Sequence, residues 1–298
     1  MITISHVLCP VDFSEFSRRA LDHAFAMAKW YQARLTVLHV VVNRPAVDLP
    51  PFELTDVDRA QILTEMEGFV GQQPPDLSVD FLIREASDIR SEILHQIEAL
   101  HASLLVIGSH GRTGFERLLL GSVTEKVIRK AACPVMVVPR RAPDAERGGP
   151  VHFSRILCPV DFSEGSLTAL TYALSIAQEA DARLTVMHAV EVPPELAEDP
   201  LSPTFDVDAI HAATRAARLR RLRGLVPASA RTYCAVETIV CDGAAYDYIL
   251  KVAAEQHSDL IVIGVQGRGA INLLVFGSNT VRVTRAATCP VLVVPRPQ

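Results

Sequence analysis

Short, mostly apolar runs alternate with amphipathic stretches along the whole chain. Runs at His6–Val11, Leu35–Val42, Val79–Arg84, Leu104–Gly108 and Val135–Val138 have the length of buried strands. A helix follows the first of them, with Ser14 as its cap and Ala20, Leu21, Ala24, Phe25 and Ala28 on one face. Further helices are predicted over Glu53–Val70, Ile89–Leu100 and near Val123–Ala131. Apolar strands separated by helices predict a parallel sheet covered on both faces. Right-handed crossovers make a doubly wound sheet the simplest topology.

The pattern then runs a second time. Strands are predicted at Arg155–Val160, Leu184–Val190, Tyr233–Val240, Leu260–Gly264 and Val291–Val294, with helices from Ser163, over Asp206–Leu222, from Ala244 and near Asn279–Ala287. The repeat is literal in places. Leu8-Cys9-Pro10-Val11-Asp12-Phe13-Ser14-Glu15 returns unchanged as Leu157 to Glu164, 149 residues later. Cys133-Pro134-Val135 returns as Cys289-Pro290-Val291, 156 residues later. A period this long is domain-sized. Two domains are therefore expected, 1–140 and 151–298, joined by a polar Pro/Gly-rich linker at 141–150. The change of offset places seven extra residues in copy two, between its second strand and its third helix. That region carries Pro193, Pro194, Pro200 and Pro203, which predicts an irregular excursion.

Composition narrows the field without naming a chemistry. Apolar residues make up 49% and charged residues 21% of the 298, as in soluble globular proteins. A net charge of −5 gives no reason to expect nucleic acid or an anionic membrane as partner. No apolar stretch reaches the roughly 20 residues of a membrane span, and no leader segment is evident, so a cytoplasmic protein is expected. The six cysteines lack any CxxC pair, and the repeat-equivalent Cys9, Cys158, Cys133 and Cys289 read as small buried side chains.

The chemistry-bearing segment follows the fourth strand. It reads Gly108-Ser109-His110-Gly111, nine residues, then Gly121-Ser122-Val123-Thr124 in copy one. Copy two has Gly264-Val265-Gln266-Gly267, nine residues, then Gly277-Ser278-Asn279-Thr280. The glycines let backbone approach a ligand. Gly121-Ser122 opens a helix, whose free N–H groups and dipole favour an anion, and the Ser122 and Thr124 hydroxyls are read as further donors. Doubly wound sheets bind ligands at the strands' carboxyl ends, which sets Asp12 opposite Gly108. Neither the G-x-G-x-x-G nor the P-loop pattern is present.

With its PVDFS opening, this G-x2-G-x9-G-S segment resembles the universal stress protein family, twice, over nearly the whole chain. The resemblance implies two tandem Rossmann-like α/β domains, each with a five-stranded parallel sheet. It also implies ATP, AMP or ADP as ligand, with magnesium entering through the phosphates. Pro10, Val11 and Asp12 would line the nucleoside side, as would Pro159, Val160 and Asp161. Val40 and Ala189 would contact adenine. Gly108, His110, Gly111 and Arg112 would wrap ribose and phosphates, and Gly121, Ser122, Val123 and Thr124 would hold the phosphate tail. Copy two matches with Gly264, Gln266, Gly267, Arg268, Gly277, Ser278, Asn279 and Thr280. In this family the fifth strand pairs antiparallel with its counterpart, so the two copies are expected to form an intramolecular pseudo-dimer. Copy one carries the better-matched motif.

His39 and His188 end the second strand of each copy. Lying in separate domains without ligand spacing, they read as packing or rim residues rather than metal ligands. Glu53–Gly71 holds five acidic residues and one Arg, whereas Asp206–Gly224 holds five Arg and two Asp. These are solvated faces on the simplest reading, and a homodimer contact on the sharper one. The leading functional expectation is a regulatory nucleotide-binding protein that signals stress to an unknown protein. The competing classes are a slow ATPase, an interaction module and a binder of a small apolar metabolite.

Overall fold

The structure, a computed structural model, describes residues 2–43, 53–72, 76–111, 120–140, 151–190, 207–265 and 277–296. The linker 141–150 and the Pro-rich excursion at 191–206 lie outside the described residues.

One compact unit runs from Ile2 to His152 and takes in Thr284–Pro295. Its elements are β1 (His6–Pro10), α1 (Glu15–Trp30), β2 (Arg34–Val42), α2 (Asp56–Val70), β3 (Val79–Ala86), α3 (Ile89–Ala99), β4 (Leu104–Gly108), α4 (Ser122–Lys130) and β5 (Val135–Val138). The strands lie parallel in the order β3-β2-β1-β4-β5. The order reverses between β1 and β4, and that reversal opens a crevice at their carboxyl ends. The β1, β4 and β5 strands are almost wholly buried, as their unbroken apolar sequence requires.

Helix α1 begins where Ser14 accepts a hydrogen bond from the Ser17 N–H, and it buries Ala20, Leu21, Ala24, Met27 and Ala28. Each large side chain so buried contributes roughly 1.5–3 kcal/mol, and Leu21→Ala would forfeit about 2–5 kcal/mol. Phe25, expected on this face, is only half-buried. His23 goes inside instead, because its Nδ1 reaches the Arg19 carbonyl at 2.8 Å and satisfies the ring there. Helix α2 starts at Asp56 rather than Glu53, since Thr55 and Asp58 form a capping box.

The fifth strand of copy two, β10 (Val291–Val294), belongs to this compact unit and pairs antiparallel with β5, Leu292 opposite Met136. The expected pairing of the two edge strands thus occurs within one chain, and it covers an apolar edge that would otherwise invite aggregation.

The other compact unit contains Phe153–Val283. It holds β6 (Arg155–Pro159), α5 (Glu164–Glu179), β7 (Arg183–Val190), α6 (Val207–Leu225), α7 (Ala230–Tyr233), β8 (Val236–Asp242), α8 (Ala245–Glu255), β9 (Leu260–Gly264) and most of α9 (Ser278–Ala286). Its strands are parallel in the order β9-β6-β7-β8, so the switch between the first and fourth strands recurs. The strand expected from Tyr233 starts three residues later. Tyr233 closes the short α7 turn, where the Cys234 N–H donates to the Ala230 carbonyl, and it stays 59% exposed. The β-propensity of Tyr is outweighed by that local turn.

Duplication extends to strained backbone. Among the described residues, the non-glycine positive-φ positions form three repeat pairs: Phe13 and Phe162 at 63°, Gln32 and Asp181 at 50°, His101 and His257 at 49°. An aromatic residue in the left-handed region costs roughly 1–2 kcal/mol, so surrounding structure must hold it there.

Candidate functional site

The first wall of the crevice is the β1 exit. The Val11 N–H donates to the Leu38 carbonyl at 2.8 Å, which keeps Val11 on the sheet and buried. Phe13 then turns the chain at φ 63°, with its ring 4.5 Å from His39 and 5.5 Å, edge-on, from Phe69. The His39 Nδ1 lies 2.9 Å from the Val11 carbonyl, and since a carbonyl only accepts, that nitrogen carries the proton. Asp12 Oδ1 accepts from the Ser14 N–H at 3.1 Å and from the Ser14 hydroxyl at 2.5 Å. The Asp12 N–H donates to Ser17 Oγ at 3.3 Å. One carboxylate oxygen thus anchors the start of α1.

Copy two repeats these contacts. His188 Nδ1 lies 2.7 Å from the Val160 carbonyl, and its ring is 4.5 Å from Phe162. Asp161 Oδ1 accepts from the Ser163 N–H at 3.0 Å and the Ser163 hydroxyl at 2.5 Å. The two histidines therefore fix the β1 and β6 exits, a positioning role more definite than packing. Their equal spacing from Val11 and Val160 was the available sequence signal, but only strand register reveals the bond.

The second wall is the β4 exit. A Cβ at Gly108 would stand 3.1 Å from the Phe16 carbonyl oxygen, and one at Gly264 only 2.7 Å from the Gly165 carbonyl carbon and oxygen. Helix α1, or α5, begins directly against the strand, which leaves little room for a side chain at Gly108 and none at Gly264. At Gly111 a Cβ would fall 2.7 Å from Asp12 Oδ2, so the glycine loop is laid onto the carboxylate. The Gly121 N–H donates to the Ser109 carbonyl at 2.7 Å, and Gly277 repeats this with Val265 at 2.9 Å. Gly121 and Gly277 are thereby held against the strand exits.

Gly121 is the N-cap of α4, and no side chain caps that helix. The first-turn N–H groups at Ser122 and Val123 have no intrahelical acceptors and carry the positive end of the dipole. Ser122 and Ser278 are exposed at this end, and Val123 and Asn279 are half-buried. Thr124, read from the sequence as a further hydroxyl donor, has that hydroxyl engaged within the fold. Its buried hydroxyl donates to the Gly108 carbonyl at 2.9 Å, as Thr280 does to Gly264 at 2.8 Å. The proton expected to face phosphate instead ties helix to strand exit, because a buried hydroxyl takes the nearest strong acceptor.

The structure thus brings Asp12, Gly108, His110, Gly111, Gly121 and Thr124 together. His110 Nδ1 lies 3.0 Å from Ser109 Oγ, and the His110 Cα is 3.6 Å from where a Gly121 Cβ would be. Pro10 and Pro159 are half-buried at the strand ends. Val40 and Ala189 are half-buried one residue beyond the histidines. Arg112, Gln266, Gly267 and Arg268 lie outside the described residues. Among the described residues, no group of three or more His, Cys, Asp or Glu side chains is placed to hold a metal, and no helix is long and apolar enough to cross a membrane. All six cysteines are free; burial pushes the Cys133 thiol up to about 12 and raises Cys9 and Cys158 as well, which favours the protonated thiol at all three.

Comparison with known proteins agrees with the fold. The chain matches the universal stress protein family over residues 3–139 and again over 152–295. It is 33% identical, over 201 residues, to a universal stress protein of Mycobacterium tuberculosis, which covers 64% of this chain and 61% of that protein. It is also 33% identical over 139 residues to one from Methanocaldococcus jannaschii, covering 44% of this chain and 80% of that protein. Among solved structures, a universal stress protein from Archaeoglobus fulgidus aligns with a TM-score of 0.67 at 22% identity, covering 99% of this chain and 97% of that one. That likeness speaks to the fold.

Proposed function

Because the chain belongs to the universal stress protein family, we propose that each copy binds an adenine nucleotide in the crevice between the first and fourth strands, ATP foremost, with AMP and ADP as alternatives. The observation that carries this reading is the approach of Gly111 to Asp12 Oδ2, beside a helix whose N-cap is the side-chain-free Gly121. An acceptor for nucleoside N–H or O–H groups and a set of backbone donors for phosphate then line one crevice. Magnesium would enter with the phosphates.

Binding serves regulation rather than metabolism on this reading. Occupancy would change the charge and surface at the start of α4, and the altered surface would be read by a regulatory protein. Two copies of the chain would meet through the acidic α2 and the basic α6, whose described residues are largely exposed. Self-association that weakens as salt screens those charges is the expected result by sedimentation.

The test is to denature purified protein and chromatograph the supernatant. Adenine nucleotide released at up to two per chain supports the proposal. ADP accumulating with time from bound ATP would favour the slow ATPase. No release, together with no calorimetric binding of added ATP, would refute nucleotide binding.

A further inference from the structure

The two copies differ where the first turn of helix one meets the glycine loop. Copy one has Phe16 there and copy two has Gly165; likewise Arg19 becomes Thr168 and Ser109 becomes Val265. In copy one the Phe16 ring lies 6.0 Å from the His110 ring, and the His110 backbone lies beside Gly121, its Cα 3.6 Å from where a Gly121 Cβ would be. The Arg140 guanidinium also lies over the Phe16 ring, 5.6 Å from its centroid. Arg19 donates to the Arg140 carbonyl, fixing the backbone just past β5. A continuous path of contacts therefore runs from the N-cap of α4, through His110 and Phe16, to an exposed arginine.

Such a contact has a consequence for binding. An unrestrained arginine loses side-chain freedom when it grips a ligand, about 0.5–1.5 kcal/mol for a rotamer-rich side chain. A cation–π contact to Phe16 restrains it beforehand. Guanidinium is planar and pairs with phosphate oxygens through two parallel N–H donors. Arg296 is the counterpart of Arg140 in copy two, but the position of the ring there is Gly165.

We propose that Arg140, pre-set on Phe16 beside His110, makes the copy-one site selective for the nucleoside triphosphate over the monophosphate, and that the copy-two site lacks this selection. The inference rests on the nucleotide-binding reading above. Arg140 touches the outer phosphates, Phe16 is the positioning residue, and the monophosphate is too short to profit from either.

Calorimetry on the full chain tests this with Gly277→Glu in the background, so that only copy one reports. Arg140→Gln should weaken ATP about tenfold, a charged hydrogen bond at the screened end of its range, and leave AMP within about twofold. Arg140→Lys should keep part of the preference, and Phe16→Leu should lower the ATP-to-AMP ratio by about threefold, the share due to restraint. In a Gly121→Glu background, where only copy two reports, Arg296→Gln should leave that ratio within about twofold. The proposal falls if Arg140→Gln weakens both nucleotides equally or neither, or if Arg296→Gln shifts the ratio as much. A parent protein that binds neither nucleotide would remove the binding reading itself, whereas binding without an Arg140 effect removes only this inference.

Discussion

Replacing Asp12 by Asn and by Ala separates what this side chain does for the fold from what it does for a ligand. In the fold, Oδ1 takes two hydrogen bonds from Ser14, and Ser14 in turn caps α1 by accepting from the Ser17 N–H. An Asn carbonyl can accept both Ser14 bonds. The change is from a charged to a neutral acceptor, worth under about 1 kcal/mol on a half-exposed group. Ala removes both bonds and leaves the Ser14 N–H to find water, at about 2 kcal/mol. For the ligand the two variants are alike, because Oδ2, the oxygen facing Gly111, becomes an amide donor in one and disappears in the other. Loss of a charged acceptor is worth about 1.5–3 kcal/mol, or ten- to a hundredfold in affinity. Urea denaturation gives the stability difference, and ATP calorimetry in the Gly277→Glu background gives the binding difference. Asn should bind as poorly as Ala while melting close to the parent. An Asn variant that binds like the parent, or one that unfolds as easily as Ala, would refute the division of labour between the two oxygens.

Gly264→Ala should destabilise more than Gly108→Ala. The new Cβ stands 2.7 Å from Gly165 backbone in one case and 3.1 Å from Phe16 backbone in the other, against a comfortable separation of roughly 3.5 Å. Overpacking of about 1–3 kcal/mol is offset by about 0.4–1 kcal/mol from the stiffer unfolded chain, so Gly108→Ala should be nearly neutral and Gly264→Ala should lose about 2 kcal/mol. Urea midpoints decide the order, and a reversed order contradicts the packing argument. Acid should also destabilise the protein early. Burial pushes the His23 and His6 imidazoles down, opposed by the carbonyls of Arg19 and Leu100, and the charge of Arg34 adds to the fall at His6. The unfolded chain then takes up more protons, so stability is full above about pH 6.5 and declines as pH falls below it. His23→Gln should flatten that decline, and an unchanged slope would assign it to other groups.

Much of this was legible in the sequence because the chain carries its own comparison. A pair of glycine spacings 156 residues apart marked the glycine loop proposed to hold phosphate, and the repeated Asp12 and Asp161 segments marked the opposing wall. Interactions that depend on register were not legible. The His39 bond to Val11 joins neighbouring strands across 28 positions, and periodicity gives no partner for an imidazole. Thr124 looked like a phosphate donor because it follows the Gly-Ser turn; only three-dimensional placement shows the Gly108 carbonyl within reach. The exchange of Phe16 for Gly165 is plain in an alignment of the copies, yet it gains meaning only once His110 and Arg140 are both seen near the ring.

Calorimetric titration of the full chain with ATP tests the central claim most directly. The parent should bind close to two molecules, Gly121→Glu and Gly277→Glu one each, and the double variant none, with all four proteins showing the same circular dichroism. No saturable binding by the parent, or a stoichiometry that neither substitution changes, would contradict a nucleotide site in each copy.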